Sequence, residues 1–381
     1  MIKLVSDTID KNDVKRLIGW LSQDEIPILT KNKVTLEFEK KWSDKINVNN
    51  TCYVNSGSSA ILLALAAIKE SGKLKNNKVV APALSWATDV SSPMLLGMDV
   101  ELCDCNLTDL SIDINHFKKI VREQQPSVLI LVSVLGLVPN MKEIVEICKN
   151  NDIFIIEDVC ESMGSKYQDQ YLGTFGDVSV FSLFYGHHIS TIEGGLICTD
   201  NEEISDLIYS MRSHGWGRDW SKEKQEEYKS KYGISDFDFL YSFFYPGFNL
   251  RGTDLQAYIG LSQIDKLDSF ANKRQENFQY YHKNINNTLL NLDNSLTSFV
   301  SNFAYPVVSK NRNEIVKNLV SSGIETRPLI AGSMANKPFW KGRSDNMPNS
   351  ELIDKFGFYV PNNQDLKQED MQKICKIINE E

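Results

Sequence analysis

The chain of 381 residues lacks any apolar run long enough to span a bilayer, so no membrane helix is expected. It also lacks a basic block or stripe. With a net charge of −9 and both signs mixed throughout, nucleic acid is not an expected partner. Any anionic substrate must then be met by local basic residues against the overall charge. Cysteine is sparse and odd in number: Cys52, Cys103, Cys105, Cys148, Cys160, Cys198 and Cys375 lie scattered, which excludes a secreted disulfide framework. Cys103 and Cys105 lack the second pair that a zinc or iron–sulfur site needs, and read as small buried residues on a strand. No metal site is expected. The N-terminus is amphipathic, with neither an apolar signal core nor a cleavage site, and the expected location is cytoplasmic. One further absence is local: no lysine occurs between Lys166 and Lys222.

The length fits two domains, and a hydrophobic content of 42% is enough for a large core. Val14, Leu17, Ile18 and Leu21 recur at helical spacing, so the chain is expected to open with a helix. The stretch "NSGSSAILLALAAIKESG" reads as a turn feeding a helix from Ser58 to Glu70. Short continuous apolar runs then alternate with helical patterns: "NKVVAPA", "DVELCDC", "SVLILVSVLG", "DIFIIEDV", "VSVFSLF" and "GGLICTD" are expected strands. This alternation predicts an α/β fold with a mostly parallel sheet covered by helices on both faces. Residues 201–247 read as a long polar and aromatic connection. The segment from Thr253 onward reads as a long helix, continuous or broken once, leading to a smaller C-terminal α/β domain. The expected domains are 1–250 and 251–381.

Ligands of such sheets bind beyond the carboxyl ends of the strands, so polar residues just after strands carry the functional argument. Gly57 and Ser58, in "NSGSSA", lie where a helix starts. Free amides and hydroxyls there can cradle a phosphate or form a plain N-cap. Asp158 ends "IFIIED" and can hold a proton on a pyridine nitrogen, or cap a helix. Trp86, in "APALSWATD", can stack on a planar ring or simply pack. Ser182 and His187 lie in "SLFYGHHISTIEGG", a strand end followed by a polar turn. There a hydroxyl can bind phosphate and an imidazole can move protons near neutral pH. His188, beside it, either shapes the site or packs.

The order of these features resembles the DegT/DnrJ/EryC1/StrS sugar aminotransferase family, carried by "SGSSAILLAL", "IIEDVCES", "GDVSVFSLF…EGG" and "GFNLRGTDLQAYIGL" over nearly the whole chain. The resemblance implies a fold-type I, aspartate aminotransferase-like architecture. It implies pyridoxal 5′-phosphate or pyridoxamine 5′-phosphate as cofactor, and a homodimer with shared active sites. In that family a lysine at the strand end holds the cofactor as a Schiff base. His187, seven residues before Gly194, occupies that position here. One branch shows the same replacement, the sugar 3-dehydratases, and "RSHGWGRD", "FFYPGFNLRGTD" and "GIETRPLIAG" also look like it. That branch implies removal of the 3-hydroxyl of a nucleotide-linked 4-keto-6-deoxy sugar, hexose or heptose. GDP is the favoured nucleotide, and L-glutamate is the amino donor. The product belongs to deoxysugar supply for lipopolysaccharide or capsule. A second branch couples the cofactor to an iron–sulfur cluster through cysteines after the histidine. From Thr199 through Met334 this chain has no cysteine, so no such cluster is expected. The resemblance implies His187 as the catalytic residue. It assigns Gly57, Ser58, Trp86, Asp158, Glu161, Ser182 and Asn249 to the cofactor, Asn249 through the partner subunit's phosphate. His214, Arg218, Arg251, Glu325 and Arg327 are candidates for the nucleotide, the sugar or glutamate, or for surface ion pairs. A plain aminotransferase and a non-catalytic nucleotide-sugar-binding protein are the alternatives.

Overall fold

In the computed structural model, residues 1–292, 299–341 and 346–380 are described. The chain opens with α1 (Lys11–Leu21) and α2 (Lys33–Ile46), then β1 (Asn50–Val54), α3 (Gly57–Glu70), β2 (Lys78–Pro82), α4 (Ala87–Leu95) and β3 (Asp99–Cys103). The alternation continues through α5 (Ile114–Gln124), β4 (Val128–Val132), α6 (Met141–Asn150) and β5 (Phe154–Asp158). A small hairpin of β6 (Lys166–Tyr167) and β7 (Gln170–Tyr171) precedes β8 (Val178–Ser182) and β9 (Gly195–Thr199). Next come α7 (Glu202–Arg212), α8 (Lys222–Tyr232), the short α9 (Asp236–Phe239) and the long α10 (Asp254–Asn284). The chain finishes with β10 (Ala304–Val308), α11 (Arg312–Ser321), β11 (Arg327–Pro328), α12 (Pro348–Phe356), β12 (Gly357–Pro361) and α13 (Gln368–Asn379).

The large sheet has seven strands in the order β1-β9-β8-β5-β4-β2-β3. Pairs β2/β3, β2/β4, β4/β5 and β5/β8 are parallel, while β9 runs antiparallel to both β8 and β1. Strands β4, β8 and β9 are buried along their whole length, which is why their apolar runs are continuous rather than alternating. A second sheet, β10-β12-β11, is antiparallel. Trp42 of α2 is fully buried and meets Phe181 of β8 edge-on at 5.1 Å. Replacing such a core tryptophan with alanine costs about 3–5 kcal/mol. No helix among the described residues is long and apolar enough to cross a membrane.

Two expectations need correction. The connection over 201–247 contains α7, α8 and α9. Helix α10 runs unbroken for 31 residues. Its buried Arg274, Asn277 and Tyr281 donate to the carbonyls of Phe303, Asn363 and Pro361, at 2.9, 3.0 and 2.9 Å, and so bind the small sheet to the helix. Helix α1 exists, but its apolar row does not face inward. Val14 and Ile18 are exposed, and the buried residues are Asp13 and Trp20. Asp13 accepts from Ser262, Gln263 and Lys266 of α10, and Trp20 stacks on Tyr258 at 4.6 Å, so α1 meets α10 through a polar and an aromatic contact.

Candidate active site

Strand ends of the large sheet converge on one place. Gly195, the first residue of β9, pairs with both Val54 at the end of β1 and Ser182 at the end of β8. A Cβ on Gly195 would lie 2.3 Å from the Ser56 carbonyl oxygen, so only glycine lets the turn into α3 pass over the sheet. Gly57, the first residue of α3, is packed as closely. Its Cβ would meet Ser182 Cβ at 2.8 Å and Cys160 Sγ at 3.1 Å. The helix start, the end of β8 and the turn after β5 are thereby pressed together. Ser56 caps α3 by accepting from the Ser59 amide at 3.1 Å. The first amides of the helix have no intrahelical acceptor, and they open beside Ser182 with exposed Ser58.

Asp158 closes β5 and is 8% exposed. Its Oδ1 accepts from the Cys160 amide at 2.8 Å, which fixes the carboxylate at the strand end. Glu161 lies one turn further and accepts from the Leu135 amide at 3.0 Å. Burial raises its pKa to about 8; the Leu135 amide opposes this rise and the charge of Asp158 adds to it. Tyr359 of β12 adjoins both Glu161 and Arg327, and burial pushes its phenol up to about 12. Arg327 of β11 pairs with Tyr359 across the small sheet but is exposed, and its guanidinium donates to the Thr326 carbonyl at 2.9 Å.

His187 sits in the turn after β8, half-buried, with its amide donating to the Phe184 carbonyl at 2.9 Å. Its ring stands edge-on to Phe184 at 5.9 Å and to Phe303 at 5.5 Å. Nδ1 is sealed from solvent without a hydrogen-bond partner. Burial lowers its pKa to about 4, with the Arg274 charge adding and the Ser182 backbone opposing. The ring is thus a neutral base at physiological pH. His188 is fully buried, and its Nε2 lies 2.9 Å from the Ser301 carbonyl. It packs beneath the turn and anchors it.

Trp86 stands at the N-cap of α4 and is 55% exposed, so a ring face is available. One turn on, Asp89 is fully buried and lies beside Asp158. Sequence reading did not single out Asp89, Cys160, Phe303 or Tyr359. For Asp89 a signal existed: it follows Trp86 by one helical turn in "SWATD", and so shares its face.

The remaining candidates form a second group. His214 carries a left-handed backbone (φ 64°) and meets Trp216 edge-on at 5.1 Å. Arg218 lies over the Trp216 ring at 4.7 Å. Asn249 is exposed and pairs with Ser213, while Arg251 pairs with Val54, so this group borders the end of β1 beside the start of α3. Glu325 is engaged elsewhere: it accepts from the Leu4 amide at 3.0 Å. Among the described residues, no set of three or more His, Cys, Asp or Glu side chains is arranged to hold a metal ion.

The profile of the DegT/DnrJ/EryC1/StrS aminotransferase family matches residues 8–379. The chain belongs to this family. It is 33% identical over 376 residues to a GDP-4-keto-6-deoxy-D-mannose 3-dehydratase of Escherichia coli O55:H7, with 95% of each chain covered. A crystal structure of a GDP-4-keto-6-deoxymannose-3-dehydratase variant, histidine replaced by asparagine, with bound GDP-perosamine superimposes with a TM-score of 0.89. The two are 30% identical, and 99% of this chain and 100% of that one are covered. A second structure of that dehydratase, holding a trapped adduct of pyridoxal phosphate and glutamate, gives the same TM-score, identity and coverage. The mostly parallel seven-stranded sheet is the aminotransferase-type fold that the sequence led us to expect.

Proposed function

We propose that this family member removes the 3-hydroxyl of a GDP-linked 4-keto-6-deoxy sugar. Pyridoxamine 5′-phosphate is the coenzyme, glutamate the amino donor, and ammonia is released. One observation carries the reading. At the end of β8, where the family resemblance implies a lysine, the chain places a neutral, half-buried imidazole, His187. No lysine lies between Lys166 and Lys222.

The surrounding residues fit a phosphorylated pyridine. The amides that open α3 and the Ser182 hydroxyl suit the phosphate. Asp158 suits the ring nitrogen, and the exposed face of Trp86 suits stacking. When bound, pyridoxamine phosphate supplies an amine for the sugar's 4-keto carbon and a ring that takes up electrons. Asp158 holds the proton on the pyridine nitrogen. His187 takes a proton at Nε2 from the carbon that bears the amine, and returns it to the 3-oxygen as that oxygen departs. Unlike an amine side chain, the imidazole moves protons without capturing the coenzyme. Glutamate supplies the two electrons overall. The balance is glutamate plus substrate giving 2-oxoglutarate, ammonia and a sugar lacking one oxygen.

The phosphate subsite includes Asn249 of a second copy, and the active unit is a homodimer. Exposed Ile26, Ile28, Phe237, Tyr241 and Phe243 support this, because so much uncovered apolar surface is unusual for a lone chain. Arg327, from the same chain, is our candidate for the sugar diphosphate or for glutamate.

The test is to incubate the protein with pyridoxal phosphate, glutamate and a GDP-linked 4-keto-6-deoxy sugar, following ammonia and product mass. Ammonia together with a product one oxygen lighter supports the dehydratase. A stable amino sugar would make the protein an aminotransferase, and no turnover with any nucleotide sugar would make it a binding protein.

A further inference from the structure

Asp89 lies in the first turn of α4, with its amide donating to the Trp86 carbonyl at 3.2 Å. The residue is completely buried, no N–H or O–H donor reaches either of its sealed side-chain oxygens, and the carboxyl of Asp158 lies within hydrogen-bonding reach. An ionised carboxylate in such a place carries a full desolvation cost with nothing to offset it. The polar side chain it faces is another carboxyl, that of Asp158, with Cys160 and Glu161 behind it on the turn after β5. No positive charge is among these neighbours. Burial first, and the Asp158 charge second, drive Asp89 well above the usual carboxylate range; the nearby Trp86 backbone opposes them weakly. Two close carboxyls in a dry site cannot both ionise, so the pair holds one proton.

We propose that Asp89 is a positioning residue: it remains the neutral acid and donates a hydrogen bond to Asp158, so that Asp158 keeps both its negative charge and its aim. A carboxylate offers about four lone-pair sites. The Cys160 amide takes one, and the proposal gives Asp89 another, which leaves capacity for the pyridine nitrogen. This role for Asp89 rests on the reading of Asp158 as the pyridine partner. It extends that reading by giving the first turn of α4 two tasks, with Trp86 at the ring face and Asp89 behind the carboxylate.

The proton can be tested without coenzyme. An unfolded aspartate ionises near 3.9, whereas the folded Asp89 keeps its proton, so the folded state binds more protons above that value. Asp89 therefore lowers stability progressively as pH rises from the unfolded value toward its raised folded one. Asp89→Asn is neutral throughout. In melts of the coenzyme-free protein, the wild type should lose at least about 3 °C relative to Asp89→Asn between about pH 5 and about pH 8. Glu161 titrates in both proteins and cancels in the difference. Parallel melting curves would overturn the proposal, because they would mean that Asp89 is ionised.

Pyridoxamine 5′-phosphate affinity of the coenzyme-free protein gives the second readout. Asp89→Leu should bind about tenfold more weakly or worse, and Asp89→Asn, which keeps a neutral donor, should restore most of that loss. Wild-type affinity in Asp89→Leu, or equal loss in both variants, would also overturn it. If the leucine variant does not fold, the melting comparison still decides. Asp158→Asn separates the two levels: unchanged affinity there refutes the pyridine-partner reading, while the melts continue to report the proton on Asp89.

Discussion

His187 owes its proposed chemistry to burial. A histidine in water is part-protonated near neutrality, but here the aromatic walls of Phe184 and Phe303 keep the ring neutral down to about pH 4. The acid limb of kcat/KM should therefore fall well below the ordinary histidine range, near pH 4 rather than about 6.5. Stability carries the same signature. Between about pH 4 and about pH 6.5 the unfolded chain binds more protons at this site, so the contribution of His187 to folding stability rises with pH across that window. His187→Asn should flatten part of that rise in thermal melts, His188 keeping the remainder, and should cut dehydration by about 10²–10⁴-fold in a product assay. At this scale the sequence was legible where a polar residue follows an apolar strand, as at Asp158, Ser182 and His187. At Asp89 only the helical spacing from Trp86 was legible; its facing carboxyl, Asp158, arrives from another part of the chain.

The junction of α3 with the end of β8 is the element on which the site is built. Gly57 packs against Ser182 so closely that any side chain must displace the strand end or the helix start. Gly57→Ala should cost about 1–3 kcal/mol in chemical denaturation and weaken coenzyme phosphate binding in a direct titration. The strands and α3 were readable because each is apolar through its whole buried length. Helix α8 was not, because it buries no residue and so carries no apolar period. Helix α7 does carry one, in buried Ile204, Leu207, Ile208 and Met211, and was passed over inside a stretch read as a polar whole. For α1 the apolar row identified the helix but not its inward face, because hydrogen bonds to Asp13 hold the polar side down.

Across the whole molecule, the large sheet gathers the residues proposed for the coenzyme from several strand ends, and the group of His214, Arg218, Asn249 and Arg251 borders them beside β1. Light scattering should give twice the chain mass. Phe237→Asp combined with Tyr241→Asp, both at exposed apolar positions, should shift it toward one. The fold class followed from the alternation of strands and helices, whereas the exposed apolar positions became visible only once the core had been subtracted.

The most direct test of an imidazole in place of a tethering amine is borohydride reduction of the protein with one equivalent of pyridoxal phosphate, followed by intact-mass and peptide analysis. The native chain should emerge unmodified, while His187→Lys should carry one reduced coenzyme on the new side chain. A native chain carrying one reduced coenzyme on a lysine would contradict the account.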